Sequence, residues 1–336
     1  MPHWSVYTGS NEPHAGIGKL PDPPPWRAFD GAPVVPAPHD ADDESAVSPD
    51  RVHRARTYVA TPESVELVNA ALILRRPLLV TGPPGTGKSS LAYAVARELG
   101  LGPVLRWNIT SRSTLTDGLY RYDPLSRLYA ARKDDAYDGV EDHLRLGPLG
   151  TALLPYQLPR VLLVDELDKS DLDLPNDLLN VLEEGQYDIP ELLRAARQSA
   201  DEGPTVRVLA DGSESPVEIA RGRVRCRAFP FVVLTSNGER EFPPAFLRRC
   251  VRLRLRRPDR AQLAEIVHAH LDTPAAEADP LIDRFLERAA NGDLATDQLL
   301  NALYLTGVTG LDAASRGELA ERLMPYLDAV ADADGL

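Results

Sequence analysis

The chain has 336 residues, enough to bury two packed cores and to leave an arm outside them. Its formal net charge is −13 and its pI is about 5.1, which argues against a general affinity for the phosphate backbone of nucleic acids. Cys226 and Cys250 lack CxxC spacing and neighbouring histidines, so two reduced thiols in a cytoplasmic protein are expected. Neither a long apolar span nor a basic stretch followed by a hydrophobic one is present, so a membrane span or secretory signal is not predicted.

Residues 1–55 form the first predicted segment, an arm that is rich in proline and poor in aliphatic residues. The stretch 20–38 favours extended polyproline-type backbone, and the acidic run 39–50 favours solvation. Trp4 and Trp26 do not fit a simple spacer. The arm is therefore expected either to be disordered or to dock on its own globular body or on another chain.

Residues 56–257 are predicted to form an α/β domain. Short, continuously apolar strands alternate with helices, a pattern that indicates a parallel sheet covered on both faces. The predicted strands are 77–81, 103–108, 160–165, 231–236 and 251–255. Two segments interrupt the alternation, one over about 111–158 and a predicted hairpin over about 204–228. Residues 258–336 then contain four amphipathic helices, enough for a small all-α domain.

A phosphate-binding loop follows the first strand. The sequence TGPPGTGKSS fits G-x-x-x-x-G-K-[ST], and a helix follows it, as this motif requires. Backbone N–H groups of such a loop surround phosphate oxygens, the lysine reaches the β- and γ-phosphates, and the serine hydroxyl ligates Mg²⁺. The expected nucleotide-binding residues are Gly82, Pro83, Pro84, Gly85, Thr86, Gly87, Lys88, Ser89 and Ser90.

An acidic pair, Asp165 and Glu166, ends the strand 160–165, at the edge where open α/β sheets bind ligands. We expect Asp165, together with Ser89, to hold the Mg²⁺ shell and Glu166 to polarise the attacking water. Asp168 lies nearby and is interpreted as a residue at the start of the following helix.

Three segments together resemble the AAA+ ATPases, and most closely the MoxR-like group: TGPPGTGKSS, LLVDELDKSD followed by DLLNVLEEGQYDI, and VVLTSNGEREFPPAFLRRC. The resemblance spans residues 60–330 and implies an AAA+ P-loop NTPase fold, with a five-stranded parallel sheet and an α-helical lid. It implies ATP and Mg²⁺ as ligands, with the lysine and serine in Walker A and the acidic pair in Walker B. Asn237 resembles the sensor-1 residue that orients the lytic water.

The same resemblance gives an interpretation of the arginine pair in AFLRRC. Arg249 resembles the arginine finger that reaches the γ-phosphate of a neighbouring subunit, and Arg248 is the other candidate. A cation there stabilises charge on the transferring phosphoryl group. A finger supplied in trans implies a head-to-tail homo-oligomer, by family resemblance a hexamer.

One departure from the family pattern concerns the lid. Family members often carry a γ-phosphate-sensing arginine at the start of the third lid helix, where this chain has Thr296, Asp297 and Gln298. A sensor-2 residue is therefore not predicted. Asn108, after the strand 103–108, is open to two interpretations, a switch that restrains Glu166 or a structural turn residue.

Two other polar patterns give weaker indications of a functional site. Arg221, Arg223, Arg225 and Arg227 alternate on one strand face, which suits an acidic substrate or nucleic acid or, more simply, a solvated hairpin face. His268 and His270 are two apart on a predicted helix, so they face different ways and make a poor metal pair.

The leading functional hypothesis is a ring-forming ATPase that remodels or activates a partner protein. The resemblance implies a von Willebrand factor A-type partner and a bacterial conflict system as its setting. The alternatives are a nucleic-acid motor, such as the GTP-driven subunit of a restriction enzyme, and a nucleotide-gated assembly scaffold. Preference for ATP over GTP rests on the resemblance, because a phosphate loop does not read the base.

Overall fold

The computed structural model describes residues 4–36, 48–132, 139–198, 205–271, 275–289, 294–308, 318–319 and 322–324. Twelve α-helices are defined within these ranges. They are α1 (Pro49–Thr57), α2 (Pro62–Leu74), α3 (Ser90–Leu99), α4 (Leu115–Leu119), α5 (Pro124–Arg132), α6 (Pro148–Ala152), α7 (Leu174–Glu184), α8 (Pro190–Gln198), α9 (Pro244–Leu247), α10 (Arg260–Leu271), α11 (Ala275–Ala289) and α12 (Thr296–Val308). Four short 3₁₀ helices accompany them, at Ala15–Lys19, Pro25–Arg27, Val140–His143 and Leu167–Lys169.

Eleven strands are defined in the same ranges. They are β1 (Leu78–Thr81), β2 (Leu105–Asn108), β3 (Tyr120–Tyr122), β4 (Leu144–Leu146), β5 (Val161–Asp165), β6 (Gln186–Asp188), β7 (Thr205–Leu209), β8 (Pro216–Ala220), β9 (Arg223–Arg225), β10 (Phe231–Ser236) and β11 (Val251–Arg254).

Five of these strands form one parallel sheet in the order β11-β1-β10-β5-β2. Strands β5 and β10 are buried along their whole length, as expected for parallel strands covered by helices on both faces. The register sets Thr81 opposite Ser236 and Asn108 opposite Asp165. Polar residues that end separate apolar runs therefore meet at one carboxyl edge. The predicted fold class is confirmed.

The two segments that interrupt the strand–helix alternation are joined in the structure. β3 pairs antiparallel with β4, and β7 pairs antiparallel with β8. β4 also runs parallel to β7, with Arg145 opposite Leu209. The four strands thus form a second sheet in the order β3-β4-β7-β8, and a third sheet pairs β6 with β9.

Apolar side chains form three cores. One face of the large sheet packs with α6, α7 and the second sheet, and the other packs with α2 and α3. The third core lies among α10, α11 and α12, around Leu263, Val267, Ile282, Phe285 and Leu299. A fourth C-terminal helix predicted over 315–330 lies mostly outside the described residues.

The N-terminal residues 4–36 are docked on the globular body. Val6 and Tyr7 are buried, and both of their backbone N–H groups donate to Asn69 Oδ1, at 2.6 and 2.9 Å. Further along, Arg27 is buried and donates from Nη1 to the carbonyl oxygen of Leu182 at 3.1 Å. Most of the acidic run predicted over 39–50 falls outside the described residues.

No helix among the described residues is long and apolar enough to cross a membrane.

Candidate active site

The phosphate loop connects β1 to α3 and encloses its own lysine. Lys88 is almost fully buried, and its Nζ donates to the carbonyl oxygens of Gly82 and Pro83, both at 2.8 Å. Burial lowers the pKa of Lys88, and the negative charges of Asp168 and Asp165 act in the opposite direction. The lysine is therefore held at the base of the loop, beside the carboxylates at the edge of the sheet.

Ser89 and Asp165 converge from different elements. The Ser89 hydroxyl, at the start of α3, donates to Asp165 Oδ1 at 2.7 Å, and Asp165 ends β5. The Thr235 hydroxyl, on β10, donates to the same oxygen at 2.8 Å. Loop, helix and two strands thus meet at one carboxylate.

Glu166 occupies a strained backbone position. Its φ is 61° and its ψ is 50°, a left-handed conformation that residues other than glycine seldom adopt. Its backbone N–H donates to Thr235 Oγ1 at 2.8 Å, which fixes the turn at the end of β5. Such strain is concentrated at functional sites, where surrounding contacts hold it in place.

The Glu166 carboxylate forms an ion pair within its own turn. Lys169 Nζ lies 2.9 Å from Glu166 Oε2, and 43% of each side chain is exposed. Asn108 is exposed at the end of β2, and among the described residues no hydrogen bond joins its side chain to Glu166. The side chain that pairs with Glu166 here is that of Lys169.

Asp168 binds the loop that carries Asn237. The Asp168 side chain is buried, and its Oδ2 accepts hydrogen bonds from the backbone N–H groups of Asn237, Gly238 and Glu239, at 2.9, 3.0 and 3.2 Å. Its Oδ1 is buried without a partner among the described residues. The sequence interpretation of Asp168 as a helix-start residue missed this contact, since the aspartate lies in the 3₁₀ helix Leu167–Lys169 and its three donors belong to the segment after β10.

The two arginines after α9 differ in their surroundings. Arg249 Nε lies 2.8 Å from Glu183 Oε1 on α7, with 30% of the arginine side chain and 35% of the glutamate exposed. Arg248 is exposed, and its carbonyl oxygen accepts from Arg76 Nη1 at 3.0 Å. Arg249 is thus positioned by an ion pair, whereas the Arg248 side chain has no ion pair among the described residues.

The start of α12 lies against the phosphate loop. Gly85 has a φ of 74°, and a Cβ there would come within 2.7 Å of Ala295 Cβ and 2.8 Å of Thr296 N. Only glycine fits this approach. Thr296 is buried at the contact, Asp297 lies in the first turn of α12, and Gln298 Oε1 accepts from Ala295 N–H at 2.9 Å.

The remaining predicted loop residues surround this region. The Thr86 hydroxyl donates to the Pro83 carbonyl oxygen at 2.9 Å and closes the turn that includes Pro84. Ser90 is the first residue of α3. Every phosphate-loop residue predicted from the sequence therefore lies between β1 and the first turn of α3.

The donor set suits Mg²⁺ with a bound nucleotide. Mg²⁺ takes hard oxygen ligands and is usually held by one or two carboxylates together with substrate phosphates. Ser89 Oγ and the Asp165 carboxylate supply such oxygens beside the phosphate loop. Among the described residues, no group of three or more His, Cys, Asp or Glu side chains forms a self-contained metal site.

Several contacts of the site were not foreseen from the sequence. They involve Arg106, Thr235, Lys169 and Glu183, besides the bonds made by Asp168. Only the Lys169–Glu166 spacing is a local signal, because i,i+3 pairs meet on one turn.

The other polar patterns have structural explanations. Within the arginine stripe, Arg223 Nε pairs with Asp188 at 2.7 Å and Arg225 Nη1 with Asp30 at 2.8 Å. His270 Nδ1 lies 3.0 Å from the His53 ring.

Both cysteines are buried in the hydrophobic core, and burial raises the pKa of each thiol, Cys226 and Cys250, to about 12. Neither is placed as a reactive thiol.

Comparison with known proteins identifies similar sequences and folds. Residues 77–250, a little more than half of the chain, match the family model described as AAA domain (dynein-related subfamily). Proteins named Holliday junction branch migration complex subunit RuvB, from Anaeromyxobacter sp. and Anaeromyxobacter dehalogenans, are 31% identical over 197 residues. The alignment covers 51% of this chain and 57% of each relative, so the chain spans less than two thirds of their length.

Two solved structures are also similar. NtrX from Brucella abortus in complex with ADP gives a TM-score of 0.37 at 15% identity, covering 83% of this chain and 52% of that one. PCH-2 from C. elegans gives a TM-score of 0.38 at 14% identity, covering 81% of this chain and 65% of that one.

Proposed function

This chain belongs to the AAA+ ATPases, and on that premise we propose that it hydrolyses ATP with Mg²⁺ at the edge of the parallel sheet, within a cytoplasmic ring of identical copies. The observation that carries the proposal is the convergence of Lys88, Ser89 and Asp165 at one point, where the Ser89 hydroxyl lies 2.7 Å from the carboxylate. A strand end alone, or a glycine-rich loop alone, does not require these three side chains to meet.

Each residue has a separate task in the proposed reaction. The loop from Gly82 to Ser90 binds the phosphates through backbone N–H groups, and Lys88 exchanges its carbonyl contacts for phosphate oxygens. When bound beside Ser89 and Asp165, Mg²⁺ neutralises charge on the phosphates. Glu166 polarises the attacking water, and Asn237 orients it.

Glu166 has to leave Lys169 before it can act on water. A carboxylate oxygen that accepts from Lys169 Nζ is not free to accept from water, and an exposed i,i+3 pair of this kind costs little to break, on the order of 0.5 kcal/mol. We infer that the nucleotide-free state holds the base aside and that ATP binding frees it.

Arg249 is the favoured arginine finger, acting on the nucleotide of a neighbouring copy. A cation stabilises a transition state best when its position is fixed beforehand, and the Glu183 ion pair provides that. Arg248 is the alternative, because it is exposed and unpaired among the described residues. Either one requires head-to-tail contact between copies, for which a hexamer is the proposed form.

Residues 56–257 are proposed as the nucleotide-binding domain, 258–336 as the lid and 1–55 as an arm. The contact between Gly85 and the start of α12 supports this division, since it connects the lid directly with the phosphate loop. With no arginine among Thr296, Asp297 and Gln298, lid closure depends on that packing and on polar contacts.

Remodelling of a partner protein is the favoured output, as in the MoxR-like proteins, with a von Willebrand factor A-type protein as the proposed partner. The RuvB relatives favour a second candidate, a nucleic-acid motor. The acidic net charge and the intramolecular pairing of Arg223 and Arg225 weigh against that candidate.

Trapping the ATP-bound assembly tests the choice between an ATPase that remodels a partner protein and a nucleic-acid motor. Glu166→Gln protein is expected to bind ATP without hydrolysing it and to retain a protein partner in pull-downs, whereas Lys88→Ala protein should retain none. The partner should accelerate hydrolysis by the wild type, and duplex DNA should not. A salt-sensitive rise in ATP turnover with DNA alone would favour the motor instead.

A further inference from the structure

Arg106 contacts the proposed Mg²⁺ site from an unexpected direction. It lies on β2, the strand next to β5, and its Nη2 donates to Asp165 Oδ2 at 2.9 Å. Asp165 Oδ1 already accepts from the hydroxyls of Ser89 and Thr235. The carboxylate is thus bound on both oxygens by three side chains.

The acceptor sites of Asp165 are nearly filled. An ionised carboxylate offers roughly four lone-pair positions, and the three donors occupy all but one of them. Arg106 is the only charged donor among the three. It therefore fixes the plane of the carboxylate and compensates its negative charge before any metal ion arrives.

The ion pair is not a freely solvated surface contact. Only 11% of the Asp165 side chain and 33% of the Arg106 side chain are exposed. Arg106 Nε is buried and has no hydrogen-bond partner among the described residues. A charge at this depth is screened less than one on the surface, so it acts on neighbouring ions.

We propose that Arg106 is a positioning residue that orients Asp165 and places a fixed positive charge beside the Mg²⁺ site. That charge opposes the binding of a divalent cation and attracts nucleotide phosphates, so the site retains nucleotide when Mg²⁺ is scarce. The inference rests on the proposed function, because it assumes that this edge of the sheet binds Mg²⁺ with a nucleotide.

The test measures nucleotide and metal binding instead of turnover. The probe is ADP carrying a methylanthraniloyl fluorophore, bound in EDTA and then titrated with MgCl₂. Arg106→Gln should lower the Mg²⁺ concentration at half-saturation by at least about threefold, because a like charge is removed. The same variant should bind the probe more weakly than the wild type in EDTA, again by about threefold or more.

Further variants separate the effect of charge from that of shape and control for changes outside the site. Arg106→Lys keeps the positive charge and should stay within about twofold of the wild type in both measurements. Arg223→Gln breaks the Arg223–Asp188 pair outside the site. It is expected to leave the Mg²⁺ half-saturation and the binding of the probe in EDTA unchanged. If Arg106→Gln loses cooperative thermal unfolding, Arg106→Met carries the same prediction while retaining the apolar stem.

Three results would count against the proposal or its premise. A folded neutral variant with unchanged Mg²⁺ half-saturation would overturn it. So would a shift of equal size in Arg106→Lys, since the effect would then not come from charge. Failure of the wild-type protein to bind the probe at all would contradict the proposed function instead.

Discussion

Asp168 connects two parts of the site that lie far apart in the chain. Its carboxylate oxygen accepts three consecutive backbone N–H groups, the first of them 69 residues away at Asn237. Bonds from neutral donors to a buried carboxylate are charge-assisted, and each is worth about 1.5–3 kcal/mol. The position of the proposed sensor-1 asparagine thus depends on an aspartate two residues after Glu166, the proposed catalytic base.

Replacing Asp168 by Asn tests this dependence. The amide keeps the size but loses the charge, so the free energy of unfolding should fall by about 1–3 kcal/mol. ATP turnover should fall by at least about tenfold while the Kd for nucleotide changes little, because the water-orienting loop shifts and the phosphate loop does not. Thermal unfolding, turnover and nucleotide titration measure the three quantities.

Asp171→Asn is the matched control for that experiment. Asp171 is exposed, and its Oδ1 accepts only the Leu174 N–H in the described structure. Its replacement should leave turnover unchanged. Equal losses in both variants, or full activity of Asp168→Asn, would show that the loop does not need the Asp168 carboxylate.

The site residues that the sequence predicts are those with a local sequence signal. Lys88 and Ser89 belong to one short motif, and Asp165 and Glu166 follow one apolar run. Arg106 could not be found in this way, because its partner Asp165 is 59 residues away and an arginine in a strand normally indicates a solvated face. Only the register of β2 with β5 brings the two together.

Among the secondary-structure elements, the N-terminal segment depends most on buried polar contacts. Glu98, in the last turn of α3, is fully buried. Its carboxylate accepts from the Thr8 hydroxyl at 2.8 Å and from Asn11 N–H at 3.1 Å, and His14 Nε2 lies 3.0 Å away. The last turn of α3, the helix that follows the phosphate loop, therefore holds the N-terminal arm in place through Glu98.

Glu98→Gln should release this arm. The loss of a buried charge that accepts several hydrogen bonds should lower the free energy of unfolding by about 2–4 kcal/mol. Amide hydrogen exchange over residues 7–14 should accelerate at least about tenfold relative to α3. Glu66→Gln, on the exposed face of α2, serves as the control. It should change neither the free energy of unfolding nor the amide exchange of residues 7–14. Unchanged exchange in Glu98→Gln would mean that Asn69 and the buried Val6 and Tyr7 hold the arm without it.

Elements with regular patterns were predictable, whereas contacts between separate segments were not. The parallel sheet followed from apolar runs such as 231–236, whose burial left little choice of fold class. The second sheet joins the interrupting segments through Arg145 opposite Leu209, a pairing too short to produce a sequence pattern. Docking of residues 4–36 depends on single side chains such as Asn69, which composition cannot indicate.

At the scale of the whole molecule, the proposed active site is complete only between copies. In the proposed assembly, Lys88, Glu166 and Asn237 come from one chain and the favoured finger, Arg249, comes from the next. Its ion pair with Glu183 on α7 positions the guanidinium, and in the described part of the structure no hydrogen bond or ion pair joins the Arg249 side chain to the phosphate loop of its own chain. A single copy should therefore bind nucleotide and turn it over slowly.

Mixing two inactive variants tests this claim most directly. Lys88→Ala lacks the phosphate contact and Arg249→Ala lacks the finger, so each alone should have at most about 1% of wild-type ATP turnover. Mixed in equal amounts, they should regain a substantial part of it, because an intact Lys88 site then faces an intact Arg249. Arg248→Ala protein, assayed alone, should be active. Mixed assemblies that remain inactive, or full activity of Arg249→Ala alone, would contradict the account.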